Sequence, residues 1–217
     1  MGDKKVRVGL IGASASYGWG MRSHIPALLA LPEYELTAVC TAHRGTAEES
    51  AKQYGVPFAF HDYHEMVKHP DIELVSVSVR SPLHYPMVIA ALEAGKHVFC
   101  EWPLGANLRE AREMMALAQS QGVRHVVGLQ ARVDPALMHL RELLVEGYLG
   151  EVLTCSTSMF LPGILERDSV RAWMADVKTG AGALAMATGT SIDVVCFCVG
   201  EFKEVSCRVT TQVPQWN

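Results

Sequence analysis

Charge is scarce in this sequence: 19% of its 217 residues are charged, against 49% that are hydrophobic. Disorder needs the opposite balance, so a packed chain is expected. There is no basic run or stripe, and the formal net charge is -4, which argues against a nucleic-acid partner. There is no long apolar run either. Each apolar stretch is short and broken by Gly, Ser or charge, so no membrane span is expected. The opening Met1-Gly2-Asp3-Lys4-Lys5 runs straight into a strand-like segment without an apolar h-region, so no secretory signal is expected. With 18 glycines and 10 prolines the chain is neither collagen-like nor of low complexity. None of the six cysteines, at 40, 100, 155, 196, 198 and 207, makes a C-x-x-C pair. They lie in apolar runs and read as buried free thiols, which suits a reducing cytoplasm. The sequence has no internal repeat.

What is present is an alternation of strand and helix signals. Val6 to Ile11 is an apolar run ending at Gly12 and reads as a buried parallel strand. A loop of small residues follows, then a helix to about Leu31, stopped by Pro32. Further strands are expected over Leu36–Cys40, Phe58–Phe60, Leu74–Val79, His97–Cys100 and Val123–Val127. Helices are expected between them. Thr46 with Glu49 and Asp62 with Glu65 read as capping boxes. A helix over Pro86–Ala94 is closed by Gly95, and one over Asn107–Ser120 has Asn107 as its cap and Gly122 beyond it. This is the pattern of a Rossmann-type, doubly wound α/β domain, expected over 1–128. From 129 to 217 the rhythm changes. A helix is expected over Pro135–Glu146, long alternating strands over Glu151–Met159 and Phe202–Thr211, irregular chain over 160–182, and an apolar helix over Ala183–Val199. Two long strands and a helix cannot cover both faces of a sheet, so this unit reads as unfinished.

The small-residue loop after the first strand stands where a phosphate-binding turn belongs. Small residues let the backbone approach a pyrophosphate, and the following helix offers amide donors. Gly12, Ser14, Ala15, Gly18 and Trp19 are the candidate contacts. The spacing departs from G-x-G-x-x-G: Ser14 replaces the second glycine, and the third falls one residue late, at Gly18. A plain strand-to-helix turn would need the same residues. At the end of the second strand no acid stands ready for ribose hydroxyls. Thr41 leaves room there, and Arg44, with His43, suits a 2′-phosphate, which tilts the cofactor from NAD toward NADP. A solvated surface Arg44 is the competing reading. Beyond the fourth strand, Arg80, Ser81 and His84 lie where such sheets bind ligands, although His84 could equally fix the loop backbone.

Ser81-Pro82-Leu83-His84, then Ala94-Gly95-Lys96-His97-Val98 leading to Glu101-Trp102-Pro103, resembles the Gfo/Idh/MocA oxidoreductases. So do His24-Ile25-Pro26-Ala27 behind the glycine loop, Gln130-Ala131-Arg132-Val133-Asp134-Pro135, and Gly147-Tyr148-Leu149-Gly150-Glu151-Val152. The resemblance covers essentially the whole chain. The loop and the Glu101-Trp102-Pro103 variant look most like the branch containing the fungal galactose-regulon repressor. It implies an α+β second domain with an open, mostly antiparallel sheet, of which this sequence supplies the opening part. It also implies an NAD or NADP cofactor, a sugar-like or polyol substrate, and homo-oligomers.

The resemblance further implies hydride transfer, with a Lys in E-K-P and a His in the second domain handling the proton. Here those positions hold Trp102 and Thr190, neither a good base, while the Asp that follows is kept as Asp193. Glu101, Trp102 and Gln130 join the candidate cofactor contacts, and Trp102, Thr190, Asp193 and His84 are the candidate catalytic positions. Arg132 reads either as a pocket residue or as a partner of Asp134. Two functions fit: an NAD(P)-dependent oxidoreductase, or a dinucleotide-binding regulator that has lost catalysis. No metal site is expected. Cys196 and Cys198 point to different helix faces, and His61, His64 and His69 lack the H-E-x-x-H face and read as solvated loop residues.

Overall fold

A computed structural model describes residues 4–160, 173–182 and 184–211. The chain falls into two compact units, Met1–Gly128 and Leu129–Asn217.

The first unit is built on β1 (Val6–Ile11), β2 (Tyr34–Cys40), β3 (Phe58–Phe60), β4 (Leu74–Val77), β5 (His97–Glu101) and β6 (His125–Gly128). They form one sheet in the order β3-β2-β1-β4-β5-β6, every neighbouring pair parallel. Parallel strands need crossovers, and helices supply them: α1 (Ile25–Ala30), α2 (Arg44–Tyr54), α3 (Tyr63–Lys68), α4 (His84–Glu93) and α5 (Leu108–Ser120). Successive strand residues point to opposite faces, so the core has two halves. Leu10, Leu36 and Val39 face Ile25 and Leu28 of α1 and Ala51 and Tyr54 of α2. Ile11, Cys40, Val75, Val77, Val98 and Cys100 face Met66, Val88, Leu92, Met114 and Ala118 of α3, α4 and α5. This is the expected doubly wound α/β architecture.

Local chemistry fixes the helix ends. Asp62 accepts from the His64 amide and Asn107 from the Glu110 amide, so both act as the caps read from the sequence. Gly55, Gly95 and Gly122 close helices with φ near +65°. Thr46 is a correction. α2 starts two residues earlier, at Arg44, with His43 before it. The Thr46 hydroxyl donates to the His43 carbonyl and shares a 2.6 Å hydrogen bond with Thr41, so it stitches the turn rather than capping the helix.

The second unit holds a short 3₁₀ turn over Gln130–Val133, α6 (Pro135–Val145) and α7 (Gly189–Cys198), which a wide π-type turn over Leu184–Thr188 introduces. Asp134 caps α6, accepting from the amides of Ala136 and Leu137. The two helices meet where the Arg141 guanidinium donates to the Phe197 carbonyl at 3.1 Å and stacks over its ring. The two long strands expected here are not formed. Residues 151–160 and 201–211 have no strand pairing among the described residues, and Leu153 and Phe160 are 85% and 88% exposed. Alternation makes a segment competent for a ladder, but the ladder also needs a neighbour. Residues 161–172, within the expected irregular stretch, and Ala183, the expected start of the last helix, lie outside the described residues.

Candidate functional site

The sheet order places a topological switch point between β1 and β4, where crossovers leave in opposite directions and a crevice opens at the strands' C-terminal ends. The segment after β1 lies at that crevice. The amides of Gly12 and Ala13 both donate to the Cys40 carbonyl, pinning the turn to the end of β2. Gly12 has φ +90°, and a Cβ there would lie 2.0 Å from the Ser78 carbonyl oxygen. A side chain is therefore excluded twice, by conformation and by space. Gly18 also has positive φ, but nothing lies within 4 Å of its missing Cβ. The tight approach belongs to Gly20, whose Cβ would meet the Gly12 carbonyl oxygen at 2.5 Å. Gly20 was missed in the sequence because the expected spacing directed attention to Gly18. Its place at the opening of the helical segment is the signal that could have found it. Between these glycines, Ser14 bonds Ser16 through its hydroxyl, and Trp19 stands largely exposed.

Around this turn the other candidates take definite places. Thr41 follows β2, and its hydroxyl donates to that of Thr46, 2.6 Å away. Arg44 opens α2 with its side chain exposed. Arg80 precedes a 3₁₀ turn over Ser81–Leu83, in which Ser81 is buried. His84 is fully buried. Its Nδ1 lies 2.8 Å from the Pro103 carbonyl and its Nε2 3.0 Å from that of Val79. Both nitrogens thus face backbone carbonyls, an arrangement that suits the loop-fixing alternative. Glu101 ends β5 and is mostly buried, 2.7 Å from His24 Nε2, so it is no surface carboxylate. Trp102 follows, half-buried, joined to Pro103 by a cis peptide.

In the second unit, Gln130 opens its 3₁₀ turn with its side chain exposed. The Thr190 hydroxyl donates to the Met186 carbonyl at 2.8 Å, the usual back-bond of a helical threonine. Asp193 is gripped by Arg132 through both Nε and Nη2, at 2.5–3.1 Å. Arg132 therefore pairs with Asp193 rather than with Asp134, which caps α6.

Several other residues are structural. Lys96 is partly buried and donates to the carbonyls of His69 and Ile72, and burial holds its ammonium below its ordinary range. His69 packs against Phe58 and Phe60 and accepts from the Asp71 amide, so it is no solvated loop residue. Burial pushes the Cys40 thiol up to about 12 and raises Cys100 further. The expectation of uniformly buried thiols is corrected: Cys196 and Cys198 are only partly buried, and Cys155 and Cys207 depart furthest from it. Both are exposed, because the segments that carry them have no described strand partner. No cluster of three or more metal-ligating side chains occurs among the described residues. None of the described helices is long and apolar enough to cross a membrane. An apolar cavity of about 420 Å³ lies away from the crevice, between α5 and the β5–β6 edge, lined by Leu92, Val98, Met114 and Val127 among others.

The profile of the Gfo/Idh/MocA oxidoreductase family, described as an NAD-binding Rossmann fold, matches residues 6–129. The chain belongs to that family. The profile of the Gal80p C-terminal domain matches residues 135–217. Dehydrogenase aclE of Aspergillus oryzae is 32% identical over 98% of this chain and 60% of its own length. A levoglucosan dehydrogenase, solved in complex with NADH and levoglucosan, is 26% identical with a TM-score of 0.78, covering 92% of this chain and 55% of that one. A super-repressor mutant of Gal80p from Saccharomyces cerevisiae shares the fold at 23% identity and TM-score 0.78, covering 88% of this chain and 52% of that one. The chain thus spans between about half and three fifths of the length of these proteins.

Proposed function

We propose that this chain binds a nicotinamide dinucleotide at the C-terminal ends of β1 and β4. The protein it represents is then an NAD(P)-dependent oxidoreductase acting on a sugar-like or polyol substrate. The observation that supports the reading is the tight turn after β1 at the switch point of the sheet, where a Cβ at Gly12 would strike the Ser78 carbonyl and one at Gly20 the Gly12 carbonyl. In that reading residues 1–128 are the dinucleotide-binding domain, and 129–217 belong to the substrate and oligomerisation domain. Gly12, Ser14, Ala15, Gly18 and Trp19 hold the pyrophosphate side. Thr41 and Arg44 face the adenosine ribose, where the exposed guanidinium favours NADP. Arg80, Ser81, Glu101 and Trp102 serve the nicotinamide side. The bound dinucleotide supplies the hydride chemistry. The protein supplies orientation, exclusion of water and charge.

A second reading is a dinucleotide-binding regulator with impaired catalysis. Specific observations favour it: Trp102 has no titratable group, the Thr190 hydroxyl is committed to the Met186 carbonyl, and Asp193 is held by Arg132. General acid–base help is typically worth ~10²–10⁴-fold, so losing it would leave binding with little turnover. Calorimetric titration with NADP and NAD tests the shared premise, with saturable binding expected and NADP the tighter. A scan of sugars and polyols for reduced-cofactor absorbance then divides the two readings. Turnover supports the enzyme, and tight binding without turnover supports the regulator.

A further inference from the structure

His24 belongs to the His24-Ile25-Pro26-Ala27 motif, and nothing above gives it a role. It ends the π-type turn that Gly20 opens, in which the Ile25 amide donates back to the Gly20 carbonyl. Its ring is nearly buried and fully engaged. Nδ1 lies 3.0 Å from the Ser76 hydroxyl on β4, and Nε2 lies 2.7 Å from the Glu101 carboxylate at the end of β5. The ring meets the Phe99 side chain edge-on at 5.4 Å. With Nε2–H donating to Glu101 and the Ser76 hydroxyl donating to Nδ1, every polar atom of the ring is satisfied. Glu101 is confined from another side as well. A Cβ at Gly128 would come within 3.1 Å of both of its carboxylate oxygens. A single ring therefore joins the segment leaving the glycine turn, the middle of β4, and the residue just before Trp102.

We propose that His24 is a positioning residue that couples the glycine turn to the 101–103 segment, so that the two walls of the crevice hold one geometry for the dinucleotide. The proposal rests on the dinucleotide reading above. A charge-assisted hydrogen bond in a nearly buried site is among the stronger ones, so its loss should be felt at both ends.

The test compares the wild-type chain with His24→Phe, His24→Gln and Ser76→Ala. Two readouts are taken well below the unfolding temperature: the calorimetric Kd for NADP and NAD, and hydrogen–deuterium exchange of the ligand-free protein. His24→Phe keeps a ring but loses both bonds. It is expected to weaken dinucleotide binding on the order of 10- to 100-fold. Amides of residues 12–24 and 100–104 are expected to lose protection together. His24→Gln keeps a donor for Glu101 and should recover much of both effects. Ser76→Ala leaves the Glu101 contact intact, is the mildest change to the fold, and should weaken binding a few-fold. Wild-type affinity in both His24→Phe and Ser76→Ala would overturn the proposal, as would loss of protection in one segment alone. A wild-type chain that binds neither dinucleotide would sink the parent reading instead, and the exchange data would still report whether the two segments move as one.

Discussion

The two units treat strand-competent sequence in opposite ways. In the first, every strand has a parallel neighbour, and residues such as Leu10, Val39 and Val75 are fully buried between sheet and helices. In the second, alternating segments have no strand pairing among the described residues, with Leu153, Val205 and Val209 largely exposed. Among the described residues, Ala181 is the one buried hydrophobic of the second unit. Helices satisfy their backbone locally, and so α6 and α7 form with their cap, their stacked Arg141 and the Arg132–Asp193 pair. A strand satisfies its backbone only through another strand. The difference between the units is a difference in available partners more than in sequence.

Substitutions can break that comparison. The largest effect is expected at Gly12. Gly12→Ala forces a Cβ into the Ser78 carbonyl and should cost at least ~3 kcal/mol together with dinucleotide binding, read by chemical denaturation and calorimetry. Gly18→Ala meets open space and should cost only the left-handed penalty, about 1–2 kcal/mol. Next in size is the core. Leu92→Ala should lose about 2–5 kcal/mol, while Leu153→Ala in the second unit should stay within ~0.5 kcal/mol. Equal losses at the two leucines would show that the second unit buries residue 153 in solution. The cysteines sharpen the same contrast without mutation. At mildly alkaline pH a thiol reagent should label Cys155 and Cys207 first and leave Cys40 and Cys100 protected until unfolding.

The smallest effect expected in the first unit is at the rim of the sheet. Hydrogen bonds from the Lys4 ammonium and the Arg7 amide hold the Glu73 carboxyl down to about 2. A carboxyl lowered in the folded state contributes stability above its unfolded value, near 4.5, and loses it as pH falls toward 2. Because Lys4 is well exposed, Glu73→Gln should change stability at neutral pH by less than ~1 kcal/mol and flatten the acid limb of the stability curve over that window.

Most of the first unit was legible because its signals are local. Apolar runs, caps such as Asp62 and Asn107, and terminal glycines at 55, 95 and 122 each act within a few residues. The errors came where a partner far along the chain decides. Thr46 looked like a cap until Thr41 and His43 claimed its hydroxyl. Gly20 was overlooked because its importance lies in the carbonyl of Gly12 across the turn. The surroundings of His84 and Thr190 were equally out of reach, since a residue type does not reveal which backbone carbonyls face its polar atoms. Arg132 had two acids to choose from, and helix capping removed the nearer one.

The contact between Gly12 and Ser78 has a consequence for how the molecule is made. β1 precedes the other five strands in the chain yet sits in the middle of the sheet, and the carbonyl that shapes its following turn arrives only with the end of β4. A nascent chain can assemble the β3-β2-β1 half early, but the turn after β1 takes its final form only when the other half docks against β1. The shape of that turn is thereby tied to completion of the sheet, and a half-made domain lacks the contact that sets it.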